Sequence, residues 1–139
     1  MAAKVKTTWK GNMLYESTNQ GGNLMIDAGP EDGGMSNGYR PKSLMLSALA
    51  GCSGLDLVPL LKKMRAEVDN IEIDITAELT SEHPKYYDKV NVAYTFFGSE
   101  LKKSKFEKAV NLSVEKYCGV MEMFRRFAKI SIEINYVEK

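Results

Sequence analysis

The 139-residue sequence has few of the side chains that most often carry chemistry, with two cysteines and one histidine. These are too few for a structural zinc site within one chain, and we expect no metal and no other cofactor. The glycine-rich phosphate loops of nucleotide-binding proteins and the GxSxG motif of hydrolases are both missing. The formal net charge is only +1, so the sequence predicts no general affinity for nucleic acid or for an anionic membrane.

Targeting patterns and long hydrophobic runs are also missing. We expect no transmembrane span, and the polar start Met1–Lys6 resembles the beginning of a strand rather than a signal peptide. The predicted location is therefore cytoplasmic, where a permanent disulfide is not expected. The content of 44% hydrophobic and 27% charged residues is typical of a globular protein, and the length predicts a single domain, 1–139.

The first part of the chain alternates between apolar and polar residues in short segments. Gly11-Asn12 and Gly21-Gly22 separate these segments, which predicts a three-stranded meander up to about Ala28. The stretch from Ala28 to Arg40 is rich in glycine and proline, and we predict that it forms a mobile surface loop.

A long helix is predicted to begin at Pro41, where the missing N–H does no harm, and to run to about Ala66. Its interior contains three residues that disfavour helices: Gly51, Gly54 and Pro59. Each glycine costs about 1 kcal/mol relative to alanine, and a mid-helix proline costs roughly 3 kcal/mol. Their clustering around one cysteine indicates a local reason, either close helix packing or a kink at a site.

The second half of the chain predicts three further strands and another helical stretch. The strands alternate over Ile71–Leu79, Lys89–Phe96 and Ile130–Tyr136. The helical stretch runs from about Leu101 to Cys118 and continues, after a break at Gly119, towards Phe127. The order βββ-α-ββ-α-β predicts an α+β fold with helices on one face of an antiparallel sheet.

The two cysteines, Cys52 and Cys118, lie in predicted helical stretches among small or apolar residues. Buried free cysteines commonly behave as small apolar residues, and residue chemistry alone favours that interpretation. The alternative is that folding brings the two thiols together as an attacking and a resolving cysteine. A reactive cysteine must be a thiolate, so it needs surroundings that stabilise the negative charge.

The positions of the two cysteines differ in this respect. Cys52 lies about three turns into its helix, beyond the reach of the helix dipole, and Asp56 one turn later disfavours a thiolate. A cation brought in by the fold would have to compensate. The candidates are Arg40, Lys42 and Lys10, from this chain or from a second one. Cys118 is predicted to end one helical stretch, which disfavours a thiolate, or to cap the next one, which favours it. Spacing alone leaves the choice open.

Two segments carry a resemblance to a known family. Pro41–Val58, which contains Cys52, resembles the signature helix of the OsmC/Ohr family of osmotically inducible and organic-hydroperoxide-resistance proteins. Ala109–Val120, which contains Cys118, is similar to the second cysteine region of that family. The resemblance covers essentially the whole chain. It implies an OsmC-like fold with a long central helix, in an intertwined homodimer with two sites at the subunit interface.

The resemblance also implies an activity. Better-studied members are thiol peroxidases that reduce organic hydroperoxides, with catalytic residues that correspond here to Cys52 and Cys118. Cys52 would attack the peroxide and become a sulfenic acid, and Cys118 would condense with it to form a disulfide. The implied partners are a second copy of the chain, a small organic hydroperoxide or other apolar small molecule, and an external dithiol reductant.

The sequence departs from the family pattern at the residues that activate the cysteine. Lys42 and Ser43 stand where active members carry a glutamate, and Gly119 follows the second cysteine where proline is common. No arginine lies in the predicted N-terminal meander, where the family uses one. We therefore expect Arg40 or Lys42 to stabilise the thiolate and the substrate. The alternatives are a non-catalytic OsmC-like dimer that binds a small apolar or thiol-reactive ligand, or a purely structural dimer.

Overall fold

A computed structural model describes residues 2–139 of the protein. The strands are Lys6–Trp9 (β1), Tyr15–Asn19 (β2), Gly22–Ile26 (β3), Asn70–Leu79 (β4), Tyr87–Gly98 (β5) and Lys129–Glu138 (β6), and the helices are Pro41–Lys63 (α1), Lys103–Leu112 (α2) and Gly119–Arg125 (α3). The predicted α+β class is confirmed, although the second helical stretch is divided. The chain forms two compact units, and the division between them falls inside α1, after Met45.

In the first unit, β1, β2 and β3 form an antiparallel meander, as the sequence predicts. The turn between β1 and β2 places Gly11 at φ +101° and Asn12 at φ +51°. Glycine and asparagine tolerate this left-handed region better than other residues. The indole Nε1 of Trp9 donates to the carbonyl oxygen of Asn12 at 2.7 Å, which ties the strand end to the turn.

One buried carboxylate organises the segment between β3 and α1. The Asp27 residue is only 3% exposed, and its carboxylate accepts the backbone N–H groups of Ala28, Met35 and Asn37 at 2.8, 3.2 and 3.0 Å. The bond from Asn37 most of all, with the other two bonds and the charge of Arg40, holds the pKa of Asp27 below its usual range. The segment predicted to be a mobile loop is therefore tied together by hydrogen bonds.

In the second unit, β4, β5 and β6 form one sheet with β5 in the centre. The β4–β5 pair is antiparallel, as predicted, but β6 pairs with β5 in parallel. The prediction of a purely antiparallel sheet is therefore wrong. The helical connection between β5 and β6 returns the chain to the end of the sheet where β5 begins, and such a crossover produces a parallel pair.

The core of the second unit lies between one face of this sheet and the helices. Tyr94 of β5 is fully buried and is flanked by Ile73 of β4 and Ile134 of β6. The buried residues of α1 recur at every fourth position: Leu49, Ser53, Leu57 and Leu61. An added Cβ at Gly54 would lie 3.4 Å from Cδ1 of Ile73, which is an ordinary contact distance, so this side of α1 faces the sheet directly.

Part of α1 is apolar and exposed. Leu55 is 79% exposed and Val58 is 59% exposed. By length and composition alone α1 is able to cross a membrane, with a mean hydropathy of 1.7, so the expectation that no segment approaches a span is wrong by this measure. Core helices of soluble proteins meet the same criterion. The exposed side chains mark a surface that the described part of the chain leaves uncovered.

Candidate thiol site

Both cysteines lie in the second unit, and their side chains are neighbours. Cys52 is half-buried on α1 and packs against the core, whereas Cys118 is 3% exposed at the start of α3. Both are free thiols. The Cys52 side chain is close enough to influence the Cys118 thiol by hydrogen bonding and by charge. Folding therefore brings together two sulfur atoms that are far apart in the sequence.

Cys118 sits at a break between two helical segments. A π-helical turn, Ser113–Tyr117, follows α2, and the backbone leaves the helical region at Cys118 with φ −79° and ψ 101°. The Cys118 N–H donates to the carbonyl oxygen of Ser113 at 2.8 Å, and the Cys118 Sγ accepts the N–H of Met121 at 3.3 Å. The break therefore falls at Cys118 rather than at the predicted Gly119.

The surroundings of Cys118 disfavour its thiolate. Burial is the main cause that raises the pKa of the Cys118 thiol to about 11. Cys52 and Asp56 act in the same direction, and the hydrogen bond from the Met121 N–H opposes them. Cys118 does cap α3, and its capping bond favours a thiolate, but this effect is outweighed because one N–H group does not replace the water lost on burial. Cys118 is therefore a protonated thiol at neutral pH.

A chain of buried hydroxyl groups links α1, β5 and the π-helical turn. Tyr94 Oη lies 2.7 Å from Ser53 Oγ, and Ser53 Oγ lies 3.1 Å from Ser113 Oγ. Ser113 Oγ donates to Asp56 Oδ2 at 2.9 Å. Because Ser113 has only one hydroxyl proton, Ser53 must donate to Ser113, and Tyr94 must donate to Ser53. All three hydroxyl protons are therefore directed towards the carboxylate.

None of these hydroxyl groups was predicted as part of a site. Ser53 interrupts an apolar stripe of α1, and a hydroxyl in such a stripe indicates a buried hydrogen-bond partner. Tyr94 and Ser113 carry no comparable signal, because their neighbours are set by tertiary packing. Arg125 was also missed, although its Nη1 donates to the carbonyl oxygen of Val114 at 2.7 Å and so braces the π-helical turn.

The two predicted thiolate-stabilising residues, Arg40 and Lys42, belong to the first unit. They line a cleft of about 490 Å³ in that unit, whose apolar lining includes Met13, Tyr15 and Ile26. The Arg40 guanidinium donates to Ser36 Oγ at 3.1 Å and to the carbonyl oxygen of Gly38 at 3.2 Å. These two bonds use some of the N–H donors of the guanidinium group. Stabilisation of the Cys52 thiolate by Arg40 or Lys42 stays a prediction.

The fold and the paired cysteines define a class of small α+β proteins with two neighbouring thiols. The family model described as OsmC-like protein matches residues 32–133 of this chain. The chain therefore belongs to the OsmC family, which confirms the resemblance seen in the sequence.

Individual relatives agree with this assignment. Protein YhfA of Escherichia coli K12 is 33% identical over 131 residues, which are 94% of each chain. The crystal structure of a hypothetical protein from Aquifex aeolicus is 30% identical, with a TM-score of 0.83 over 99% of both chains. The organic hydroperoxide resistance protein OhrB of Bacillus subtilis is 21% identical, with a TM-score of 0.68 over 96% of this chain and 98% of OhrB. The likeness to OhrB is one of fold.

Proposed function

We propose that this protein is a thiol-dependent peroxidase that reduces organic hydroperoxides through a dithiol–disulfide cycle of Cys52 and Cys118. The observation that carries the proposal is the pairing of a half-buried thiol with a buried one. The name of the fold relative OhrB, an organic hydroperoxide resistance protein, supports the same chemistry.

The different burial of the two thiols suggests their roles. The accessible sulfur of Cys52 attacks a peroxide oxygen, the O–O bond breaks, and the products are an alcohol and a sulfenic acid on Cys52. The sulfur of Cys118 then attacks the Cys52 sulfur, an S–S bond forms, and the hydroxyl group leaves as water. An external dithiol reduces this disulfide and is itself oxidised, which completes the cycle.

The cycle is tested with the reduced protein and one equivalent of cumene hydroperoxide. We expect the loss of both thiols and the appearance of an intramolecular Cys52–Cys118 disulfide, identified by mass spectrometry. In Cys118→Ser protein the sulfenic acid should persist and react with dimedone, whereas Cys52→Ser protein should not consume hydroperoxide. If both thiols of the wild-type protein stay reduced, the peroxidase proposal is rejected.

Arg40 and Lys42 are proposed to supply the positive charge that stabilises the Cys52 thiolate and the substrate. Alkylation of Cys52 by iodoacetamide, measured from pH 6 to 9, should be slower in Arg40→Ala or Lys42→Ala protein than in the wild type. Lys62→Ala removes an exposed lysine near the other end of α1 and serves as the control. Equal rates in all four proteins would exclude both candidates.

A homodimer is proposed because α1 exposes large apolar side chains, and uncovered apolar surface commonly marks an interface. The OsmC/Ohr family consists of soluble homodimers. Leu55→Glu should yield a monomer by light scattering, whereas Lys108→Glu, on the exposed side of α2, should not. A wild-type monomer would contradict the proposal.

We further propose that the chain forms one OsmC-like domain, since the family match at 32–133 includes parts of both units. A cytoplasmic location is also proposed.

A second function has its own supporting observation. The cleft of the first unit combines apolar walls with Arg40 and Lys42, which suits a non-catalytic protein that binds a small apolar or thiol-reactive ligand. Under this alternative the two thiols stay reduced when hydroperoxide is added. An apolar fluorescent probe binds to the wild-type protein, and Met13→Asp substitution abolishes that binding. The hydroperoxide titration therefore separates the two functions.

A further inference from the structure

The resolving step of the proposed cycle requires a proton acceptor. Cys118 must attack the oxidised Cys52 sulfur as a thiolate, or lose its proton during the attack. At a pKa of about 11, roughly one Cys118 thiol in 10,000 is ionised at pH 7. A base beside Cys118 would remove this restriction.

Asp56 lies on α1 with Cys52, and its side chain reaches the π-helical turn that precedes Cys118. It follows Cys52 by one turn of α1, and its Oδ2 accepts the hydroxyl proton of Ser113 at 2.9 Å. The carbonyl oxygen of Ser113 in turn accepts the N–H of Cys118 at 2.8 Å. The carboxylate is thus joined through one residue to the backbone of the resolving cysteine.

Few titratable groups act on Cys118. The groups whose charges reach it are Cys52 and Asp56 of α1 and Tyr94 of β5. Burial above all raises the pKa of Tyr94, so this side chain is a neutral donor at pH 7. Asp56 is the one carboxylate in this set. Ser113 donates a hydrogen bond to Oδ2 of Asp56, and no donor within residues 2–139 binds its Oδ1.

Resting on the proposed peroxidase cycle, we propose that Asp56 accepts the proton of Cys118 while that thiol attacks the oxidised sulfur of Cys52. The S–H bond of Cys118 breaks, the S–S bond forms, and the Cys52 S–O bond breaks. The proton passes from Asp56 to the departing hydroxyl group, which leaves as water, so the carboxylate returns to its ionised form. The hydroxyl chain from Tyr94 through Ser113 holds the carboxylate in place.

The test uses 5,5′-dithiobis(2-nitrobenzoate) and no hydroperoxide. Attack by Cys52 releases one coloured thiolate and leaves a mixed disulfide on Cys52. Attack by Cys118 on that disulfide releases the second thiolate, so the second phase reports the proton loss of Cys118 directly. Because no peroxide is involved, the result stays readable even if the peroxidase proposal fails.

The decisive variant is Asp56→Asn, whose amide oxygen still accepts the hydrogen bond from Ser113. At pH 7 we expect its second phase to be slower than that of the wild type by at least about tenfold, since a positioned base is commonly worth more than that. If Asp56 acted only through its negative charge, Asp56→Asn protein would show a faster second phase, because removal of the charge lowers the pKa of Cys118. A rate equal to or faster than that of the wild type would therefore overturn the proposal.

Two controls complete the experiment. Ser113→Ala removes the hydrogen bond that holds the carboxylate but keeps the base itself. Its second phase should therefore be slower than that of the wild type but faster than that of Asp56→Asn protein, and Asp56→Glu should restore most of the rate. In the wild-type protein alone, a built-in base predicts a second phase that changes little from pH 6 to 8. A rise of about tenfold per pH unit, or no second phase at all, contradicts the proposal even if Asp56→Asn protein does not fold.

Discussion

The titration of Cys118 offers the most direct test of the thiol site. With a pKa of about 11, this thiol is only about 3% ionised at pH 9.5. A thiol with the ordinary value of 9.0 would be about 76% ionised at the same pH. The difference arises mainly from burial, since the 3% exposed Cys118 leaves little room for water around a thiolate.

Nuclear magnetic resonance of protein labelled with ¹³C at the cysteine β carbon can follow the two thiols separately. Two resonances are expected, and the Cys52→Ser and Cys118→Ser proteins assign them. The Cys118 resonance should stay at its thiol position up to pH 9.5. A midpoint at or below pH 9 would show that burial does not control this thiol, and the assignment of Cys118 as the protonated, resolving cysteine would lose its basis.

The same shift predicts how stability depends on pH. Because the folded pKa is raised, the unfolded chain releases the Cys118 proton first. The stability linked to this group is complete below the ordinary pKa of 9.0 and is lost as the pH rises towards 11. Cys118→Ala protein should lack this part of the alkaline loss in urea unfolding.

Three further substitutions test the packing and the hydrogen bonds of the two units, each taken by itself. Phe106→Ala removes a fully buried ring whose centroid lies 4.6 Å from that of Phe96. Urea unfolding should show that the free energy of unfolding falls by about 3–5 kcal/mol, and a fall below about 1 kcal/mol would contradict this packing. Tyr94→Phe removes the first donor of the hydroxyl chain, and we expect a loss of about 1 kcal/mol by the same measurement, against which an unchanged stability would count. Asp27→Asn should lower the melting temperature at pH 7. The difference in melting temperature between the two proteins should shrink as the pH falls below 3.8. The pKa of Asp27 is lowered, so its carboxylate stabilises the fold only while it is ionised. A difference that stays constant with pH would refute this role of Asp27.

Local patterns predicted most of the secondary structure. Alternation identified the strands of the second sheet, because β4, β5 and β6 alternate between more buried and more exposed residues. The strands of the first sheet were predicted from the turns between short segments, although β1 is exposed along its whole length. Pro41 marked the start of α1 correctly. The parallel pairing of β6 with β5 was not predicted. The long helical connection between these strands favours such a pair, because parallel neighbours need a long crossover. The π-helical turn before Cys118 left no recognisable signal in the sequence.

The sequence by itself determined the family, the α+β class and the identity of the two cysteines, because these depend on residue types and on their spacing along the chain. Only the tertiary structure decided that the two thiols are neighbours, that burial keeps Cys118 protonated, and that three hydroxyl groups point towards Asp56. The reason is physical: the loss of water around a group, and the donors that replace it, depend on residues far apart in the chain that meet only after folding.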